Sequence, residues 1–386
     1  MSKEVLFVSQ TAEKGGAELV MMDLITHGPE DWGACFFTDG PAARDLAIAG
    51  REPMVLTGES NVLNIRRGAS AFRLLSAAGG VLSLARSLAQ AAQGYRVVCA
   101  NSQKALFVAA LATRFMRRPL VWFLHDILTD PAFSGNTRRA AVIFANLFAS
   151  RVVVNSKATG RAFVAAGGRA DRVRLVYCGF DLAAHPKANA MAAKDLRGRF
   201  GLSDAPVIGL FGRLNRWKGQ HVLLRALAKL PDVQAIIVGA ALFDYDGYEA
   251  ELRELAHSEG LADRVHFTGF VEDVPNIMAG VDVVVHASTH PEPFGRVVVE
   301  GMLAGRPVVA TRGGGVDEIV SDGETGLLVP PDDPPALAAA ILRLLSEPAF
   351  AERIAQSGLD TARKRFSIER ACRDMAAVLN EATGRR

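Results

Sequence analysis

At 386 residues, with 49% apolar and 22% charged residues, the chain is long enough for two ordinary domains and is not a disordered or fibrous sequence. No run of about 18 apolar residues occurs, so no transmembrane helix is expected, and MSKEVLFVSQTAEKGG, with its short apolar stretch between acidic residues, does not read as a signal peptide. The net charge of +3 conceals an asymmetry: residues 60–180 hold 17 Lys and Arg against only Asp126, Asp130 and Asp171, and the remainder is acidic.

In chain order, short apolar runs rich in β-branched residues alternate with helical stretches. The first half offers VLFV (5–8), ACFFT (34–38), RVVCA (96–100), PLVWFL (119–124), RVVVN (151–155) and VRLVY (173–177). The second offers PVIGLF (206–211), VQAIIVG (233–239), RVHFTG (264–269), VDVVVHAS (281–288), RPVVAT (306–311) and GLLV (326–329). Continuous rather than alternating apolar runs predict strands buried on both faces, joined by helical crossovers. The expected fold class is therefore α/β, with two doubly wound parallel-sheet domains. The domains are placed at 1–182 and 200–365, with a hinge near 180–200 where no strand is readable. A last segment, 366–386, puts Ile368, Cys372, Met375 and Leu379 at helical spacing behind Ser367, and is expected to pack back on the first domain. Cys35, Cys99, Cys178 and Cys372 form no metal or redox spacing and read as reduced residues of a cytosolic protein.

Both halves open alike, with a strand, a loop, and then Lys14-Gly15-Gly16 or Lys218-Gly219 before a helix. In open α/β sheets ligands bind at the carboxyl ends of the strands, so two such edges would face an interdomain cleft. In GRLNRWKG, Arg213 and Lys218 share one loop after a strand and can converge on one anion, a diphosphate being suitable. The loop lacks the Gly-Lys-Ser/Thr ending of a Walker A motif. In HPEPFGRVVVEGMLAG, Pro293 suits the first turn of a helix, Gly295 lets a ligand approach the backbone, and Gly305 ends the helix. Glu292 then lies at the helix mouth and Glu300 about 7.5 Å deeper along the axis. The amides of Phe294, Gly295 and Arg296 make an anion site between two carboxylates that can accept from hydroxyls. TRGGGVDEIV brings Glu318 behind three glycines, which are a candidate for close backbone approach to the ligand.

These blocks in this order, from Gly15-Gly16 through Arg213 with Lys218, HFTGFVED and EPFGRVVVEGMLAGRPVVAT to Glu318 and TGLLVP, resemble the retaining glycosyltransferases of the GT-B fold, glycosyltransferase family 4. The resemblance implies that Arg213 and Lys218 neutralise the diphosphate of a nucleotide sugar, and that backbone amides at Gly16 and at Phe294, Gly295, Arg296 and Val297 meet phosphate and sugar. It places Glu292 on donor-sugar hydroxyls, Glu300 on the ribose, Val271 beside the base and His125 near the donor sugar at the reacting face. Arg296 departs from the aliphatic residue common there; it either adds a cation near the diphosphate or points away. The family's retention is explained by front-face attack with the leaving phosphate as base, so no protein nucleophile is assigned. No cofactor and no metal ion are expected, since Arg213, Lys218 and the helix amides supply the counter-charge.

Other readings stay open at this stage. The two glutamates could be a glycosidase acid and base, although a helix N-terminus keeps carboxylates ionised rather than raising a pKa. DYDG at 244–247 has the Asp-x-Asp form of a metal-dependent glycosyltransferase. A sugar phosphorylase, a noncatalytic nucleotide-sugar binder and, less well supported without G-x-G-x-x-G, an oxidoreductase complete the set. The acceptor, a glycan or lipid diphosphate, is expected on the basic first domain. There Arg66, Arg67, Arg114, Arg117, Arg118, Arg138 and Arg139 are candidates for meeting it or for docking on an anionic membrane. Nucleic acid is not an expected partner, because the arginines are scattered with few aromatics among them. The expected location is cytoplasmic, peripheral on the inner face of the plasma membrane.

Overall fold

Among the residues described by the computed structural model, 3–56, 71–129, 135–241 and 246–384, the strands form a seven-stranded and a six-stranded sheet, both parallel throughout. Arg66, Arg67 and Asp244 lie outside the described residues.

The first sheet contains β1 (Lys3–Ser9), β2 (Trp32–Phe36), β3 (Met54–Val55), β4 (Tyr95–Ala100), β5 (Leu120–Leu124), β6 (Ala149–Val154) and β7 (Val173–Leu175), in the order β3-β2-β1-β4-β5-β6-β7. The second contains β8 (Val207–Phe211), β9 (Gln234–Val238), β10 (Val265–Gly269), β11 (Val283–His286), β12 (Val308–Thr311) and β13 (Leu327–Val329), in the order β10-β9-β8-β11-β12-β13. Each chain of strands winds outward from its first member and then reverses, leaving a switch point between β1 and β4 and another between β8 and β11. Every residue of β5, β8, β9, β11 and β12 is buried, as continuous apolar runs require when helices cover both faces. The short edge strand β3 is not readable from residue pattern, because two half-buried residues show no period.

Two compact units result, Met1–Gly179 with Ile368–Arg386, and Phe180–Ser367. The 180–200 segment, where a hinge is expected, holds the boundary between the units at Gly179 and Phe180 and also a helix, Ala190–Phe200, capped by the Asn189 side chain and closed by Gly201. It packs on the Val274–Gly280 helix and belongs to the second unit. The terminal helix, Ile368–Ala382, buries Ile368, Cys372, Met375 and Leu379 and lies against the Gly16–His27 helix, β5 and β6.

Its far end is pinned by Glu381, which accepts from Arg174 Nε at 2.7 Å and Arg151 Nη2 at 2.8 Å. The Arg174 and then the Arg151 hydrogen bonds hold its carboxyl down at about 2. A depressed folded-state pKa contributes stability above the ordinary carboxylate pKa, and that contribution is lost as pH falls toward the folded value. Glu381→Gln is therefore expected to lower stability by less than about 1 kcal/mol at neutral pH, since the group is only half-buried and is screened by solvent. The difference in Tm from the parent should shrink between about pH 5 and pH 2; thermal melts at stepped pH check it.

All four cysteines are free and buried, and burial pushes the Cys35 thiol up to about 12.

Candidate active site

The second unit assembles its polar groups at the carboxyl ends of β8, β10 and β11. After β8, Asn215 accepts from the Trp217 amide and sets a single 3-10 turn, Arg216–Lys218, which ends at Gly219 with φ +73°. A methyl at Gly219 would overlap the Ala287 carbonyl oxygen, so only glycine lets this loop lie against the end of β11. The contact is completed by the Thr289 amide, which donates to the Trp217 carbonyl at 2.8 Å. Lys218 is thereby aimed across the edge, its ammonium 4.2 Å from the Trp217 ring centroid and donating to Glu292 Oε1 at 2.6 Å.

The same Glu292 oxygen accepts from Ser288 Oγ at 2.7 Å and lies 3.3 Å from His286 Nε2. Only 6% of Glu292 is exposed. Burial pushes its carboxyl upward, but the Lys218 ammonium and then the His286 contact outweigh this and hold it well below the usual carboxylate range. A carboxylate ionised at all working pH values cannot serve as a general acid, which argues against the glycosidase reading. It can accept from hydroxyls.

The backbone of Glu292 is fixed by the glycine-rich loop. Its carbonyl accepts from the Gly315 amide at 2.8 Å, and Glu292 bridges to Gly314 in parallel fashion. Gly314 has φ +71°, and a methyl there would collide with that carbonyl. The three glycines, candidates for approach to a ligand, thus serve an approach to the Glu292 loop.

The following helix, Arg296–Leu303, starts at Gly295 with φ +106° and not at Pro293, because Gly295 alone takes the left-handed turn into it. Phe294 is buried between Phe180, stacked at 6.4 Å, and Phe366, edge-on at 5.6 Å. Arg296 lies along the helix, its guanidinium 4.6 Å from the Phe180 ring centroid and its Nε 3.4 Å from Glu300 Oε1. It thus lies over Phe180 and pairs with Glu300. Val297 sits beside it in the first turn, whose amides an α-helix leaves without intrahelical partners. Arg213 is exposed at the end of β8, and half-buried Val271 follows β10 next to the exposed Phe270 ring.

In the first unit, Gly15 caps the Gly16–His27 helix after β1, and Ser9 Oγ donates to the buried Glu18 of that helix at 2.8 Å. Asn101, wholly buried at the end of β4, donates from Nδ2 to the Ala17 carbonyl at 3.0 Å. Its Oδ1 lies 2.8 Å from His125 Nε2 at the end of β5, a partner that suits a proton on Nε2. The His125 ring also packs on Phe123 at 4.1 Å. Gly15, Gly16 and His125 are thus brought to one edge by three adjacent strands.

Motif reading misses Ser288, His286, Asn101 and Glu18 as site residues; a polar residue directly after an apolar strand run, as in RVVCAN and VVVHAS, is the signal that marks three of them. Arg114, Arg117 and Arg118 go the other way: they end the Gln103–Met116 helix, which runs back from the carboxyl edge toward the start of β5. They lie at the opposite end of the sheet from His125. Arg138 and Arg139 open the Gly135–Phe148 helix, just after β5. Among the described residues no three His, Cys, Asp or Glu side chains are grouped to hold a metal ion.

Residues 15–184 match the model of Glycosyltransferase Family 4, and residues 194–360 that of Glycosyl transferases group 1. Alpha-D-kanosaminyltransferase of Streptomyces kanamyceticus is 31% identical over 304 residues, 73% of this chain and 76% of that protein. The lipopolysaccharide core biosynthesis glycosyltransferase LpsE of Rhizobium meliloti is 38% identical over 168 residues, 43% of this chain and 47% of that protein. The crystal structure of Anabaena Alr3699/HepE in complex with UDP-glucose superposes with a TM-score of 0.89 at 38% identity, covering 98% of this chain and 99% of that one. Two switch-point sheets, a Lys–Glu pair set at the mouth of a helix and these matches over both halves agree: the chain belongs to glycosyltransferase family 4, the group 1 glycosyl transferases, and is a glycosyltransferase of the GT-B fold.

Proposed function

We propose that the enzyme transfers a sugar from a nucleoside-diphosphate sugar, a UDP-sugar in the first instance, to a glycan or lipid-linked acceptor in cell-surface polysaccharide assembly. In this reading the anomeric configuration is retained and no metal ion is used. The observation that carries it is Lys218, held 2.6 Å from the buried Glu292 beside the first turn of the Arg296–Leu303 helix. Breaking the bond between the anomeric carbon and the diphosphate oxygen leaves negative charge on the departing diphosphate and positive charge on the sugar. Lys218, Arg213 and the first-turn amides are preorganised donors for the former, and the ionised Glu292 accepts from hydroxyls of the latter. His125, whose Nε2 lies 2.8 Å from Asn101 Oδ1, is assigned by family resemblance to the donor sugar.

The choice of uridine rests on Alr3699/HepE, whose structures are complexes with UDP and UDP-glucose at 38% identity over nearly the whole chain. The cell-surface setting rests on LpsE and on LpsB, a lipopolysaccharide core mannosyltransferase of the same bacterium, 34% identical over 177 residues.

A thermal-shift panel of UDP, GDP, ADP and their sugars, followed by nucleotide release with and without chelator, tests the reading. Selective stabilisation by a uridine nucleotide and chelator-resistant turnover are expected. Turnover abolished by chelator and restored by manganese would remove the metal-free mechanism, and saturating binding with neither transfer nor slow hydrolysis would leave a noncatalytic binder. Glu300→Ala is expected to weaken UDP itself by about tenfold or more, the loss of hydrogen bonds to a charged acceptor. Calorimetric titration of UDP reads it, and an unchanged Kd removes Glu300 from the ribose.

A further inference from the structure

We propose that His286 is a reserve counter-ion in the donor site: when a diphosphate draws the Lys218 ammonium from Glu292, the His286 ring takes up a proton and holds the carboxylate instead. The proposal rests on the donor reading above, which puts the diphosphate at Lys218. It concerns how Glu292 stays ionised once the donor is bound.

One lysine has two anions to serve. Lys218 Nζ donates to the buried Glu292 Oε1 at 2.6 Å, and its charge is the main influence that opposes burial and keeps that carboxyl ionised. A diphosphate carries negative charge on each phosphate and competes for the same ammonium. Drawing the lysine toward it leaves a buried carboxylate short of counter-charge, which is strongly unfavourable.

His286 is placed to correct this. It ends β11 and is buried, with Nδ1 3.3 Å from Thr311 Oγ1. The single hydroxyl hydrogen of Thr311 goes to the Ser288 carbonyl at 2.7 Å, so toward His286 the threonine can only accept, which suits a proton on Nδ1. The other ring nitrogen, Nε2, is buried, faces Glu292 Oε1 at 3.3 Å and makes no hydrogen bond. A second proton then enters at Nε2 and turns an unpaired nitrogen into a charged donor beside the carboxylate.

The surroundings leave this pair to itself. Packed against β11 are β8 and β12, which hold no charged residue, and the Arg296–Leu303 helix, whose Arg296 pairs with Glu300. In the flanking loops Arg213 is exposed, Arg216 pairs with Glu251, and the exposed His290 is hydrogen-bonded with Thr289. Among the described residues, Glu292 and Lys218 are the charged groups that face the ring.

Calorimetric titration of UDP-glucose, in buffers of one pH and different ionisation enthalpies, counts the protons taken up. This probe is chosen because its diphosphate is esterified at both ends, whereas a terminal phosphate such as that of UDP titrates near about pH 6. At about pH 7.5, roughly one unit above the ordinary imidazole pKa, uptake on the order of half a proton per UDP-glucose is expected. A ring that gains its partner on binding favours the complex at lower pH, so affinity should fall roughly threefold to tenfold per pH unit above that. His286→Gln keeps an uncharged donor beside Glu292 and should lose both the uptake and the pH dependence, while His290→Gln keeps both. Nitrogen NMR of the histidine-labelled parent, which needs no variant to fold, should show one ring become imidazolium when UDP-glucose is added. Four results would each overturn the proposal: no net uptake by the parent, no new imidazolium, uptake that survives in a folded His286→Gln, or uptake lost in His290→Gln. Failure of the donor reading would show separately, as a Lys218→Met variant that binds UDP-glucose as tightly as the parent, and would take the proposal with it.

Discussion

Lys218→Met is expected to lower sugar transfer by about 10²–10³-fold, the usual consequence of removing one preorganised charge from a site that stabilises a leaving group. The structure adds a second effect, on stability. Without Lys218, Glu292 remains buried with Ser288 and His286 only, and breaking a fully buried pair costs about 3–5 kcal/mol. The cost here should fall below that range, since the Lys218 side chain keeps 19% exposure. The pH dependence has a definite sign. In the parent, the depressed Glu292 pKa contributes stability above the ordinary carboxylate pKa and loses it in acid. In the variant, burial acts without its main opponent, so the carboxyl pKa rises and protonation relieves the cost as pH falls. The gap in Tm between parent and variant should therefore be widest near neutrality and narrow toward about pH 4. A gap independent of pH would mean that Lys218 does not set the charge state of Glu292.

Glu292→Gln is expected to separate sugar handling from nucleotide binding. The amide keeps the shape and can still accept from Ser288, but it no longer offers Lys218 a charge. Transfer should fall by about 10²-fold or more through loss of a charged hydroxyl acceptor at the reacting sugar. Affinity for UDP should hold or rise, because an ammonium released from Glu292 is available to the diphosphate. Initial rates with the preferred donor and calorimetric titration of UDP on the same preparation decide it. A parallel loss in both would place Glu292 on the nucleotide, or show that its removal collapses the Lys218 loop.

Arg296 shows what geometry adds to a reading by residue type. By residue type it is either a third cation near a diphosphate or a side chain turned away; a helical i, i+4 partner and an aromatic face draw it along the helix onto Glu300 and Phe180. The triple glycine at 313–315 carries the same ambiguity, since a glycine reports that backbone comes close without saying to what. Here it is the Glu292 carbonyl. The arginines divide for a topological reason: one crossover helix carries Arg114 away from the edge to which the next strand returns Arg138.

The amino-acid sequence by itself determined where the strands longer than two residues lie, their parallel direction, and the carboxyl edge of the second sheet at which Arg213, Lys218 and Glu292 gather. Those features are local: hydrophobic period, glycine at a turn, and polar residues directly after a strand are written in contiguous residues. Only the tertiary structure decided which charges meet. The partners Lys218 and Glu292 are 74 residues apart in the chain, and Asn101 and His125 are 24 apart. They meet because neighbouring parallel strands end side by side, and because Gly219 alone can pass the Ala287 carbonyl closely enough to deliver the lysine.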